Sequence, residues 1–147
     1  MPIIGQPPFV TMLVVLSAGL THWLLGPWPT LVRVPLLGGA LVALGFACMM
    51  WARLLFTSRH TTLFVGQPSS QLVYDGPFCI SRNPMYVGVV VSLVGLALWV
   101  GTWPLYLAVP VTVLILNYVH IPREERLLRE VFGEQYRAYS TEVRRWL

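Results

Sequence analysis

Three short groups of side chains in this sequence could do chemistry. The first is Ser81-Arg82-Asn83-Pro84-Met85-Tyr86. Asn83 is a good helix N-cap, and Pro84 suits the first helical position, where a missing N–H costs nothing. A long apolar run follows at once. Free backbone N–H groups, the positive end of the helix dipole and the Arg82 guanidinium would together favour a bound anion. The same residues serve equally as a capped membrane helix whose Arg82 touches lipid phosphate. The second group is Glu124-Glu125-Arg126, with Arg129 following one turn on. Such a carboxylate pair can hold a ligand carrying both charges, or it can sit in solvent and complement a helix dipole. The third is a stripe of Tyr136, Tyr139, Val143 and Trp146 at spacings of three and four. Upstream of the first group, Asp75-Gly76-Pro77 reads as a tight turn.

The elements that must position these groups are apolar helices. The chain of 147 residues is 56% hydrophobic and only 11% charged, against about a quarter charged in an ordinary soluble domain. This excludes a soluble globular protein and implies an all-α integral membrane protein in one domain, 1–147. Four spans are expected, at 9–25, 34–56, 84–100 and 104–119. The last two hold roughly 16 apolar residues each, about 24 Å of helix against a hydrocarbon core of about 30 Å. Gly101-Thr102-Trp103-Pro104 joins them as a tight turn, and Pro110 is expected to kink the fourth. Gly38, Gly39, Ala40, Ala43 and Gly45 give the second span a small face suited to close packing. A polar loop covers 57–83. It carries Leu63, Phe64, Val65, Leu72, Val73, Tyr74 and Phe78, so it should fold against the membrane face. The segment 122–147 is amphipathic, and Gly133 is placed to break its helix.

All ten basic residues are arginine. Nine of them lie on the side of the loop and tail, and Arg33 alone lies on the other. The positive-inside rule then places the loop and both termini in the cytoplasm. Arginines flanking apolar spans suit anionic headgroups and not nucleic acid. Cys48 and Cys79 form no metal or disulfide pattern. Cys48 reads as a small filler in the second span, Cys79 as a structural residue, and His22 as a hydrogen-bonded interior histidine.

Two ordered blocks carry a resemblance. Gly76-Pro77-Phe78 followed by Ser81-Arg82-Asn83-Pro84-Met85-Tyr86-Val87-Gly88 is similar to the GPF/Y…(S)R(H/N)PxYxG signature of the isoprenylcysteine carboxyl methyltransferase family and its phospholipid N-methyltransferase relatives. Glu124-Glu125-Arg126-Leu127-Leu128, Phe132-Gly133, Tyr136, Tyr139, Val143 and Arg145 resemble the second signature of that family. The similarity covers about Leu72 to Leu147. It implies a membrane enzyme that moves a methyl group from S-adenosylmethionine to a lipophilic acceptor drawn from the bilayer. It further implies a cofactor pocket at the cytosolic face, closed by the loop, the helical hairpin and the C-terminal amphipathic helix. By position, Arg82, Asn83, Pro84, Tyr86, Glu124, Glu125 and Tyr136 would bind the cofactor, and Arg82, Glu125 and Arg126 would serve the reaction. Asn83 stands where relatives often carry histidine, so it binds and does not exchange a proton. The usual proline after the last helix is replaced by the ending Trp146-Leu147.

If the acceptor is a carboxylate, Arg126 or Arg53 could orient it. An amine acceptor would need a base or a carboxylate, and the sequence does not choose. Two other classes fit less of the chain. Glu124-Glu125-x-x-x-Arg129 and Phe56-x-x-x-His60 match elements of a glutamate-type intramembrane protease, but in the wrong order and with too few spans. A non-catalytic membrane interaction protein would make the charges a solvated surface and the tyrosines a core. A zinc site at His120, Glu124 and Glu125 would lack a well-spaced third ligand.

Overall fold

A computed structural model describes residues 7–26, 29–58 and 72–147. Most of the long loop, 59–71, lies outside them, and with it Leu63, Phe64, Val65 and His60. The fold is helical: α1 Pro7–Leu25, α2 Pro35–Ser58, α3 Pro84–Val100, α4 Trp103–Ile115, α5 Ile121–Phe132 and α6 Glu134–Glu142. The predicted turn at Gly76-Pro77 is the start of a single 3-10 turn, Gly76–Cys79, with Gly76 at a φ of 59°.

The apolar helices form a row. α2 lies along α3, α3 on α4, and α4 on α1. The small face of α2 sets the first contact. A Cβ added at Gly38 would stand 2.6 Å from the Gly95 carbonyl oxygen, and one added at Gly95 would stand 2.6 Å from that of Gly38. One added at Gly88 would meet the Gly45 carbonyl at 2.6 Å. Four glycines, two on each helix, thus let the backbones touch where any side chain would hold them apart. On the other side of α3 the core is made by Leu93 and Ala97 with Leu105 and Ala108 of α4 and Ala18 of α1.

The outer faces of the row are apolar and bare. Leu36 is 90% exposed and Trp23 78%, an arrangement stable only against another apolar medium. Two helices are long and apolar enough to cross a membrane, Pro35–Leu55 and Trp103–Phe132, and two shorter apolar helices, Met12–Leu24 and Pro84–Val100, accompany them.

The fourth helix departs from expectation. In place of a span ending near Val119 and a separate tail, helix runs unbroken from Trp103 to Phe132. It passes Pro122 by way of a π-helical turn, Leu116–His120, whose closing bond runs from the Ile121 N–H to the Leu116 carbonyl. The wider turn comes just before the residue that lacks an N–H, and it makes room for the proline ring. Thirty residues rise about 45 Å, about 15 Å more than a hydrocarbon core spans. The excess is the charged part, from Arg123 onward.

The two ends of the row differ in chemistry. At one end the 29–34 linker crosses to the α3–α4 turn. Leu31 N–H bonds Gly101 O at 2.8 Å, and Tyr106 Oη donates to Val32 O at 2.6 Å. Gly101 closes α3 at a φ of 81°, a left-handed conformation open to glycine. Arg33 is the one charge of this end. Nearby in α1, the Nδ1 atom of His22 is buried with no partner among the described residues, not hydrogen-bonded as its place in the span implied. Among the described residues, the other charged side chains gather at the opposite end.

The close approach of α2 and α3 predicts an asymmetric response to substitution. Gly95→Val should destabilise the detergent-solubilised protein by about 1–3 kcal/mol through overpacking. Gly39→Ala should leave it unchanged, since its Cβ would meet only the Trp99 ring, at 3.9 Å. Thermal denaturation followed by circular dichroism measures both.

Candidate functional site

The charged end is built around one carboxylate. Glu125, in the second turn of α5, is 4% exposed, and three guanidinium groups surround it. Arg145 grips it side-on, Nε to Oε1 at 3.1 Å and Nη2 to Oε2 at 2.8 Å. Arg82 Nη1 lies 3.2 Å from Oε1, and Arg129 Nη2 lies 3.4 Å from Oε2. Three positive groups on one negative leave the cluster with a surplus of two positive charges. The Arg145 guanidinium is pushed further above its usual range by its hydrogen bonds to Glu125.

The partners arrive from three parts of the chain. Arg82 comes from the segment just before α3, Arg129 from the next turn of α5, and Arg145 from the stretch after α6. That stretch opens on extended backbone at Val143 and runs beside the start of α3. The Arg144 carbonyl accepts the Arg82 N–H at 2.9 Å. The Arg145 carbonyl accepts Asn83 Nδ2 at 2.8 Å and Ser81 Oγ at 3.3 Å. Asn83 stands at the N-cap position as expected, but its side chain does not cap. It reaches the tail instead, so among the described residues no side chain caps the first turn of α3. These bonds hold the tail against the start of α3.

The other predicted residues take distinct places. Tyr86, one turn into α3, donates its phenol to Glu124 Oε1. Pro84 is buried, and its carbonyl faces Cys48 Sγ at 3.4 Å. Tyr136 is buried beside the cluster, its Oη 3.5 Å from Arg82 Nη1. Tyr139 packs on it with ring centroids 6.1 Å apart and donates to the Phe78 carbonyl at 2.8 Å. Burial pushes both phenols above their usual range, so both remain neutral donors at neutral pH. One polar atom is left over. Arg82 Nε is buried with no partner among the described residues, a donor of the kind that binding sites keep for a ligand.

Arg82, Asn83, Pro84, Tyr86, Glu124, Glu125 and Tyr136 therefore gather at one end of the helix row. Arg126 is exposed and makes none of these contacts. Arg53, also exposed, makes none either. Sequence reasoning passed over Arg145 as a site residue, although it stood in the matched tail, and over Asn117 and Trp146 of the surrounding shell. The three-and-four spacing of the tail pointed to Tyr139 and Trp146. Nothing local pointed to Arg145, which meets Glu125 only because the chain turns back after α6. Among the described residues no three His, Cys, Asp or Glu side chains come together as a metal site.

A buried ionic centre on the ends of bare apolar helices defines a membrane protein with a polar site at the bilayer boundary. The chain belongs to the phospholipid methyltransferase family, whose model matches residues 34–135, so it is a member of a membrane methyltransferase family. It is also 40% identical, over 63 residues, to an uncharacterized protein of Haemophilus influenzae strain Rd, covering all of that protein and 43% of this chain. No solved structure matches it.

Removing Glu125 would leave three guanidinium groups facing one another. Glu125→Ala should cost about 3–5 kcal/mol, the usual loss when one partner of a buried pair is removed. Arg129→Ala removes a guanidinium that is 56% exposed and should cost no more than about 0.5 kcal/mol. Denaturation in a fixed detergent compares them.

Proposed function

We propose that this protein binds S-adenosylmethionine at the Arg82–Glu125 cluster and methylates a lipid amine that enters from the bilayer. The observation that carries the reading is the buried, unpartnered Arg82 Nε inside a cluster with surplus positive charge. That combination suits the carboxylate of the cofactor, and the uncapped first turn of α3 adds dipole and N–H groups of the same sense. The faces of Tyr136 and Tyr86 suit a sulfonium by cation–π attraction.

When bound, S-adenosylmethionine supplies an electrophilic methyl group on a sulfonium. The chain's own residues then have three tasks. Arg82, held by Glu125, fixes the cofactor carboxylate. The tail excludes water by closing over the start of α3. Glu124, steadied by the Tyr86 phenol, pairs with the acceptor nitrogen and takes the proton it releases. The choice of an amine rests on how the charges are used. Arg82 is taken by the cofactor carboxylate, Arg129 and Arg145 are bound to Glu125, and neither Arg126 nor Arg53 touches the cluster. An isoprenylcysteine-type carboxylate would thus find no arginine to orient it, whereas an amine finds Glu124. The family's description as phospholipid methyltransferase supports the same choice. In this reading all four apolar helices span the bilayer, with both termini and the arginine-rich end in the cytoplasm.

Calorimetry on the detergent-purified protein should show saturable S-adenosylmethionine binding. Arg82→Ala should weaken it about 10- to 100-fold, the worth of a charged hydrogen bond of about 1.5–3 kcal/mol. With an ethanolamine phospholipid as acceptor, Glu124→Gln should lower kcat by about 10²–10⁴-fold. A well-folded protein that binds no S-adenosylmethionine would instead be a non-catalytic interaction protein.

Topology is checked separately. In a Cys48→Ala protein, exposed Cys79 should react with an impermeant maleimide in inside-out vesicles and stay unlabelled in right-side-out ones. The opposite pattern would reverse the orientation.

A further inference from the structure

One polar residue near the site has no part in the reaction above and yet holds two groups at once. Asn117 lies in the π-helical turn between α4 and α5. Its Oδ1 accepts the Trp146 indole N–H at 3.1 Å and faces Arg145 Nη1 at 3.5 Å. Arg145 is the residue that grips Glu125, and the Arg144 and Arg145 carbonyls are the acceptors for Arg82, Asn83 and Ser81. Residues 144–146 thus form a strap fixed at two ends, to the start of α3 on one side and to the α4–α5 junction on the other.

The π-turn is what makes the second attachment possible. In a regular α-helix, residues eight apart such as Asn117 and Glu125 point about 80° away from each other. One extra residue in a turn takes back about 100°, leaving them within about 20° on the same face. Both then address the one Arg145 guanidinium. The match to the family model ends at residue 135, so Arg145 and Trp146 lie beyond it.

We infer that Asn117 is a positioning residue: through Trp146 and Arg145 it keeps the strap closed, and so keeps Arg82, Asn83 and Glu125 in register for the cofactor. This rests on the cofactor reading of the same site. Asn117 is bonded to the strap and not to Arg82 or Glu124, so in this reading it acts on cofactor affinity and leaves the chemical step alone.

The test uses the full-length protein in detergent, with Asn117→Ala, Trp146→Phe and the double variant. Trp146→Phe removes only the indole N–H and keeps the ring. Each single variant should weaken S-adenosylmethionine binding about three- to tenfold, with kcat at saturating cofactor within twofold of wild type. The double variant should be no worse than the weaker single, because both break one attachment. Hydrogen exchange gives a readout apart from activity: the Arg82 amide, which donates to Arg144, should exchange faster in all three. Unchanged affinity despite faster Arg82 exchange would overturn the inference, since the strap would open without consequence. A parallel fall in kcat and in melting temperature would also overturn it, by reducing Asn117 to a structural contact. If the wild-type protein itself binds no cofactor, the underlying reading fails and this inference with it. The wild-type titration alone tells that case apart.

Discussion

A carboxylate buried at the edge of a bilayer cannot stand alone. Removing Glu125 from water without partners would cost several kcal/mol, and only well-placed opposite charges make its burial tolerable. The chain brings those charges from three separated places, and in doing so it ties together segments that otherwise share few contacts. Arg82 marks the entry to α3, Arg129 extends α5, and Arg145 returns from the C-terminus. The ionic centre therefore does for the polar end of the molecule what close packing does for the apolar row. It also overshoots neutrality, with a surplus of positive charge and one buried Arg82 Nε that has no partner among the described residues.

The apolar row obeys a different constraint. Against lipid there is little hydrophobic drive between helices, so contact depends on how closely backbones can approach. Gly38 and Gly45 on α2 meet Gly95 and Gly88 on α3 at a distance no Cβ permits. α4, by contrast, packs on α3 through alanines and leucines. The continuous helix from Trp103 to Phe132 is longer than a hydrocarbon core is thick, and Glu124 and Glu125 lie in its charged part. Placing the two acids on a continuous helix, not on a loose tail, gives them the rigidity of the row. Rigidity matters to any transfer reaction, because the reacting atoms must be held near contact distance.

The polar end shows how far local signals reach. Asn83 looked like an N-cap by residue type and position, and it does stand at the start of α3. Its side chain is drawn away because the Arg145 carbonyl offers a partner from 62 residues along the chain. Pro122 looked like the start of a new segment. The π-turn before it let the helix continue, and that turn depends on neighbours that periodicity does not register. Arg126 looked like a site residue because it follows the paired acids, but helix geometry carries it to the exposed side, away from Glu125.

The sequence alone determined that this is a helical membrane protein, because composition and long apolar runs leave no other way to satisfy the backbone in lipid. It also determined the two blocks that make the site, since their residues are contiguous: Arg82 to Tyr86, and Glu124 with Glu125. Only the tertiary structure decided which charges meet. Arg129 faces Glu125 by the i,i+4 spacing of one helix, but whether Arg82 and Arg145 reach it depends on where the chain travels after Gly133, whose φ of 51° separates α5 from α6. Those are sums of many small rotations along the chain, and no local stretch of residues contains them.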